Sequence, residues 1–179
     1  MSNLVFIGDS LTEWHDWEKR FPEHRVLNLG ISGETVEGLL GRRDRIREIV
    51  KDPDAVFLMT GINNLLSERY GIEVPYREVV RNYATWWKGA KIVVQSILPV
   101  DMPWIKSDLI RDVNRRLKEL AREEGVEYLD VYSAFVDADE NVKPGFLSED
   151  GVHLAAKGYE AWAGKVGKYL SPAGWINAG

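Results

Sequence analysis

A serine, a glycine, an asparagine and an acid–histidine pair are spread along this 179-residue chain. Ser10 closes "LVFIGDS"; Gly30 and Gly33 lie in "LNLGISGE"; Asn63 and Asn64 lie in "TGINN"; Asp150 and His153 lie in "EDGVHLAAKG". These are the groups acyl transfer needs. A serine hydroxyl is a poor nucleophile until a base takes its proton, and imidazole is the usual base near neutral pH. The imidazole needs an acceptor on its other nitrogen, which fixes the tautomer and stabilises the imidazolium. The tetrahedral oxyanion needs fixed donors, which backbone N–H groups and an asparagine amide can supply. Of the three histidines, His15 and His24 fall between the first two strands. His153 follows Asp150 by three residues, and a turn at Gly151 could present both to one place.

These residues act together only if the fold collects them. Leu4–Ile7, Arg25–Leu29, Ala55–Thr60, Lys91–Leu98 and Val126–Val131 read as strands. Several are continuously apolar, as expected of a parallel sheet covered by helices on both faces. Between them, Val36, Leu39, Leu40, Ile46, Ile49 and Val50 predict a helix over 34–50. A second helix starts near Pro75 and runs to Gly89. A third carries Ile105, Leu109, Val113, Leu117 and Leu120 and ends at Gly125; a fourth carries Tyr159, Trp162, Ala163, Val166 and Leu170, with Pro172 just beyond. This alternation predicts an α/β fold, a three-layer α/β/α sandwich with a five-stranded parallel sheet of flavodoxin-like type. No repeat or linker divides the chain, so 1–179 reads as a single domain. In open sheets of this kind, working residues lie beyond the carboxyl ends of the strands. Ser10, Gly30, Asn63 and the Asp150–His153 pair would all converge on that rim.

Composition removes other chemistries. A net charge of -5 argues against a nucleic-acid partner. Arg42, Arg43, Arg45 and Arg47, interleaved with Asp44 and Glu48, read as the solvated face of a helix. Without cysteine there is neither a disulfide nor a cysteine nucleophile. Strand-like sequence from Leu4 leaves no room for a signal peptide, and no apolar run is long enough to span a membrane. The expectation is a soluble, cytoplasmic protein. No Gly-x-Gly or Walker lysine motif is present. The "DADEN" loop begins like a calcium loop but has Val142 where glycine is required and Ser148 where glutamate is required. No zincin-spaced histidine pair occurs. Neither metal nor cofactor is expected.

The "GDS", "LNLGISG", "GIN" and "DGVH" blocks, in that order and on a matching α/β pattern, resemble the SGNH, or GDSL-type, hydrolases across nearly the whole chain. The resemblance implies that Ser10 is the nucleophile, His153 the base and Asp150 its orienting acid. It implies an oxyanion hole made from the Ser10 N–H, the Gly30 N–H and the Asn63 amide. The third block often reads Gly-x-Asn-Asp; here Asn64 replaces the acid. A similar Asn-Asn pair, and the surroundings of "GISGET", resemble the α-subunit type of platelet-activating-factor acetylhydrolases. The implied activity is hydrolysis of short acyl esters, acetyl esters included, through an acyl-enzyme. Lysophospholipids, thioesters and acetylated sugars are alternatives within the family, and a homodimer is left open.

Each residue also has a plainer reading. Ser10 could occupy a strand-end turn or cap a helix, and Asp150 could cap the helix that follows it. His153 could be structural. Asn63 could be a left-handed turn residue, and Gly30 and Gly33 could serve only a tight turn. Asp9 reads as a local hydrogen-bonding residue that shapes the serine turn. Ser32 is the rival serine. Trp14, Trp17, Met102 and Trp104 are candidates for an apolar substrate pocket; the plainer reading is that Trp14 and Trp17 cover the bottom of a loop and Trp104 starts a helix, whereas Trp86 and Trp87 read as core. Two other classes stand beside the hydrolase: a silent module that binds acylated carbohydrate or lipid, and a flavodoxin-like cofactor binder.

Overall fold

A computed structural model describes residues 1–171; Pro172 lies outside the described residues. In chain order the elements are β1 (Asn3–Gly8), α1 (Ser10–Glu13), α2 (Trp17–Arg20), β2 (Arg25–Gly30), α3 (Val36–Gly41), α4 (Arg43–Ile49), β3 (Ala55–Met59), α5 (Ile62–Leu66), α6 (Glu73–Trp86), β4 (Lys91–Gln95), α7 (Ser107–Glu123), β5 (Glu127–Leu129) and α8 (Ala156–Leu170). The five strands form one sheet in the order β2-β1-β3-β4-β5. Every pairing is parallel. This is the flavodoxin-like α/β architecture. Among the described residues no helix is long and apolar enough to cross a membrane.

The apolar runs account for the centre of the sheet. Val5, Phe6 and Ile7 of β1 and all five residues of β3 are buried, whereas the edge strand β2 has none fully buried. Phe6 stacks on Trp17 at 4.1 Å and on Phe57 at 5.0 Å, and Trp17 meets Trp162 edge-on at 4.8 Å. Trp17 is therefore core and not pocket lining, a correction to the sequence expectation. Its indole N–H donates to the Thr12 carbonyl, which ties α2 to the end of α1. Trp87 is buried, and Trp86 is partly buried beneath the Arg47 guanidinium.

Two boundaries differ from the periodicity for identifiable reasons. The helix expected over 34–50 is two helices that break at Arg42. The Arg42 guanidinium turns back to the Glu34 carboxylate and the Leu29 carbonyl, so this arginine is not part of a solvated face. Strand β4 ends at Gln95, short of the expected Leu98. The Asn114 side chain of α7 accepts from the Ile97 N–H at 2.7 Å and donates to the Ile97 carbonyl at 2.8 Å. That amide replaces the ladder that a longer strand would need. The Ser96 hydroxyl likewise accepts the N–H groups of Val131 and Tyr132, so β5 is also short.

With this strand order, the chain leaves β1 in one direction along the sheet and β3 in the other. Ser10 follows β1, and Asn63 follows β3. The carboxyl ends of adjacent strands at such a switch point leave a crevice.

Candidate active site

Strand β1 delivers Ser10 through a helix cap. Asp9 is extended, and its Oδ1 accepts the Leu11 N–H at 3.0 Å, which makes it the N-cap of α1. Its carbonyl takes the N–H groups of Thr12 and Glu13 at 3.1 and 2.9 Å. Ser10 is thus the first helical residue, and the cap expected of it as an alternative role belongs to its neighbour. The first N–H groups of a helix have no partner within it, which leaves the Ser10 N–H suited to an incoming oxygen.

The Ser10 Oγ stands 3.0 Å from Nε2 of His153, 143 residues away in the chain. His153 Nδ1 stands 2.6 Å from Oδ2 of Asp150. The other carboxylate oxygen of Asp150 accepts the Val152 and His153 N–H groups at 2.9 and 2.8 Å and the Ser148 hydroxyl at 2.9 Å. The hydrogen bond from His153, then those from the backbone, hold the Asp150 carboxyl well below the usual range. Asp150 does not cap α8, whose N-cap is Ala155. Gly151 makes the turn at φ 71°, and a Cβ there would lie 2.5 Å from the Asp101 carbonyl oxygen. The Asp101 N–H in turn donates to the Gly151 carbonyl at 2.7 Å. The loop after β4 thereby backs the loop that carries the histidine.

Asn63 lies in the first turn of α5, and its amide donates one proton to the Glu34 carbonyl at 2.9 Å. That bond orients the side chain and leaves its second N–H for another acceptor. Asn64 is fully buried. It accepts the Val36 N–H at 3.0 Å and donates to the Glu37 carboxylate at 2.8 Å. An aspartate at 64 would set two carboxylates against each other, which explains the departure from Gly-x-Asn-Asp. The Gly30 N–H donates to Asn28 Oδ1 at 3.0 Å, and the Asn28 amide reaches the Thr12 and His15 carbonyls at 2.9 and 3.2 Å. A Cβ at Gly30 would lie 2.3 Å from the Glu13 nitrogen, so glycine is required for α1 to pack on β2. Sequence reasoning missed Asn28; only the folded turn shows which carbonyls it collects.

The aromatic candidates separate. Trp14 is 57% exposed, and its ring stacks on His153 with centroids 4.0 Å apart. Met102 is half-buried and Trp104 exposed, both in the turn ahead of α7; neither shares a hydrogen bond or ring contact with Ser10 or His153. His15 stacks on Tyr159 at 4.6 Å. Burial lowers the pKa of His15.

Asp9 carries a pH dependence of its own. It is buried, and desolvation pushes its carboxyl up from 3.8 to about 7. Between those values the folded chain holds more protons than the unfolded chain, so stability falls as pH rises and the loss is complete above 7. The loss is at most of the order of 4 kcal/mol. Asn at an N-cap accepts the same bond without a charge. Asp9→Asn is therefore expected to raise the melting temperature at pH 8 and to leave it unchanged near pH 4. Equal shifts at both pH values would contradict this assignment.

Residues 6–161 match the model of the GDSL-like lipase/acylhydrolase family. The chain belongs to this family. It is a carboxylic ester hydrolase. The α1 subunit of platelet-activating factor acetylhydrolase IB from Rattus norvegicus is 28% identical over 170 residues, 87% of this chain and 69% of that one. Among solved structures, a G-D-S-L family lipolytic protein from Veillonella parvula superposes with a TM-score of 0.79 at 20% identity, covering 95% of this chain and 98% of that one. An acetyl xylan esterase from Geobacillus stearothermophilus gives 0.76 at 22%, covering 95% and 94%. These two likenesses are of fold.

Proposed function

We propose that this GDSL-family hydrolase cleaves short acyl esters, acetyl esters included, by acylation and deacylation of Ser10. The observation that carries the reading is the unbroken line Ser10 Oγ, His153, Asp150, at 3.0 and 2.6 Å. His153 Nε2 takes the hydroxyl proton as Oγ attacks the ester carbonyl. Asp150 holds the proton on Nδ1 and stabilises the imidazolium. The oxyanion is held by the Ser10 N–H and the free N–H of Asn63. The Gly30 N–H joins them by sharing its proton between Asn28 and the incoming oxygen. The imidazolium then protonates the leaving alcohol. Water, deprotonated by the same histidine, releases the carboxylic acid and restores the serine.

The acetyl preference is supported by the 28% identical relative, whose name is that of an acetylhydrolase. Hydrolysis of p-nitrophenyl esters from acetate to decanoate tests it. The expected optimum is acetate to butyrate. An optimum at octanoate or longer would replace the short-acyl reading with a lipase-like one, and no turnover by the folded protein would overturn the assignment.

A further inference from the structure

One helical turn carries both Ser10 and Trp14. The Trp14 N–H donates to the Ser10 carbonyl at 3.0 Å, so the two residues lie one turn apart on the same side of α1. His153 meets both. Its Nε2 faces the Ser10 hydroxyl, and the face of its ring lies on the Trp14 indole, 4.0 Å between centroids and 15° from parallel. Trp14 is 57% exposed, so burial alone does not fix its ring. A polar chain holds it instead. The Trp14 Nε1–H donates to Ser32 Oγ at 3.0 Å, and the Ser32 hydroxyl and N–H both donate to Glu13 Oε2, the latter at 2.8 Å. Ser32, the rival serine of the sequence, is engaged as a bracket.

We infer that Trp14 is a positioning residue that clamps the imidazole of His153 in the plane joining Ser10 to Asp150. An imidazole with hydrogen bonds at both nitrogens can still tilt about the line between them. A flat surface against one face removes that motion. The same surface favours the imidazolium formed in each half-reaction, through the attraction of a cation to an aromatic face. Trp14 thus acts in acylation and deacylation alike, whatever the ester. The role differs from that of a pocket wall, which would contact substrate and sort acyl chains by length. The inference rests on His153 being the base.

The test is steady-state kinetics across the p-nitrophenyl ester series for Trp14→Leu, Trp14→Phe and Ser32→Ala, with His153→Ala alongside. Trp14→Leu is expected to lower kcat about tenfold for every ester, with KM and the chain-length optimum unchanged. Trp14→Phe keeps a ring face and is expected to recover most of that loss. Ser32→Ala is expected to show a smaller loss of the same kind. A change in KM or chain-length optimum in Trp14→Leu would make the residue a pocket wall and overturn the inference. Unchanged kcat, or Phe no better than Leu, would overturn it too. Retained activity in His153→Ala would instead remove the base assignment beneath it, so the two failures are distinguishable.

Discussion

Replacing Ser10 with alanine is expected to lower ester hydrolysis by about 10⁴- to 10⁶-fold and to abolish covalent labelling by an organophosphonate. The size of the effect follows from the division of labour in the site. Once Oγ is gone, His153 and the oxyanion donors have no nucleophile to serve, and only water remains. The fold should survive. Asp9, not Ser10, caps α1, and alanine suits the first turn of a helix. Ser32 cannot take over. Its hydroxyl donates to the Glu13 carboxylate and accepts from Trp14, and the imidazole of His153 lies against Ser10. Labelling that persists in Ser10→Ala, or that moves to Ser32 on peptide mapping, would refute the nucleophile assignment.

Replacing His153 with alanine is expected to cost more than about 10³-fold in kcat/KM. The companion variant Asp150→Asn isolates the acid's part. Its remaining carbonyl oxygen can still accept the Val152 and His153 N–H groups, so the loop keeps its shape. Its amide would present a donor to His153 Nδ1, which forces the proton onto Nε2 and removes the acceptor that Ser10 needs. A loss of about 10² to 10⁴ in a variant that keeps the native circular dichroism spectrum is the expected outcome. Activity within tenfold of the parent in His153→Ala would show that another group removes the serine proton. Unchanged kinetics in Asp150→Asn would reduce Asp150 to a loop-shaping residue.

Much of the architecture was legible because its cause is local. Continuous apolar runs mark strands buried on both faces, and apolar residues at helical spacing mark the helices that cover them. All five strands lie where those runs lie, and Gly125, in the left-handed region, follows the end of α7 as its position suggested. The departures have causes outside any local period. Arg42 breaks a helix because a carboxylate and a carbonyl from earlier segments claim its guanidinium. Strand β4 stops because an asparagine on the next helix takes both backbone groups of Ile97. Trp17 and Trp14 are near neighbours of the same residue type, yet one is sealed in the core and the other lies exposed over a histidine.

The site divides along the same line. The residue types, their order, and their places after β1, β2 and β3 and before the last helix can be read along the chain, because a strand's end and a glycine turn are written in a few adjacent residues. That Ser10 and His153 stand 3.0 Å apart, that the Gly30 N–H is engaged by Asn28, and that Trp14 covers the imidazole emerge only on folding. Those distances depend on how separate segments pack, on the space a missing Cβ leaves between α1 and β2, and on which polar groups meet once water is excluded. Local periodicity carries no information about such meetings, which join residues far apart in the chain.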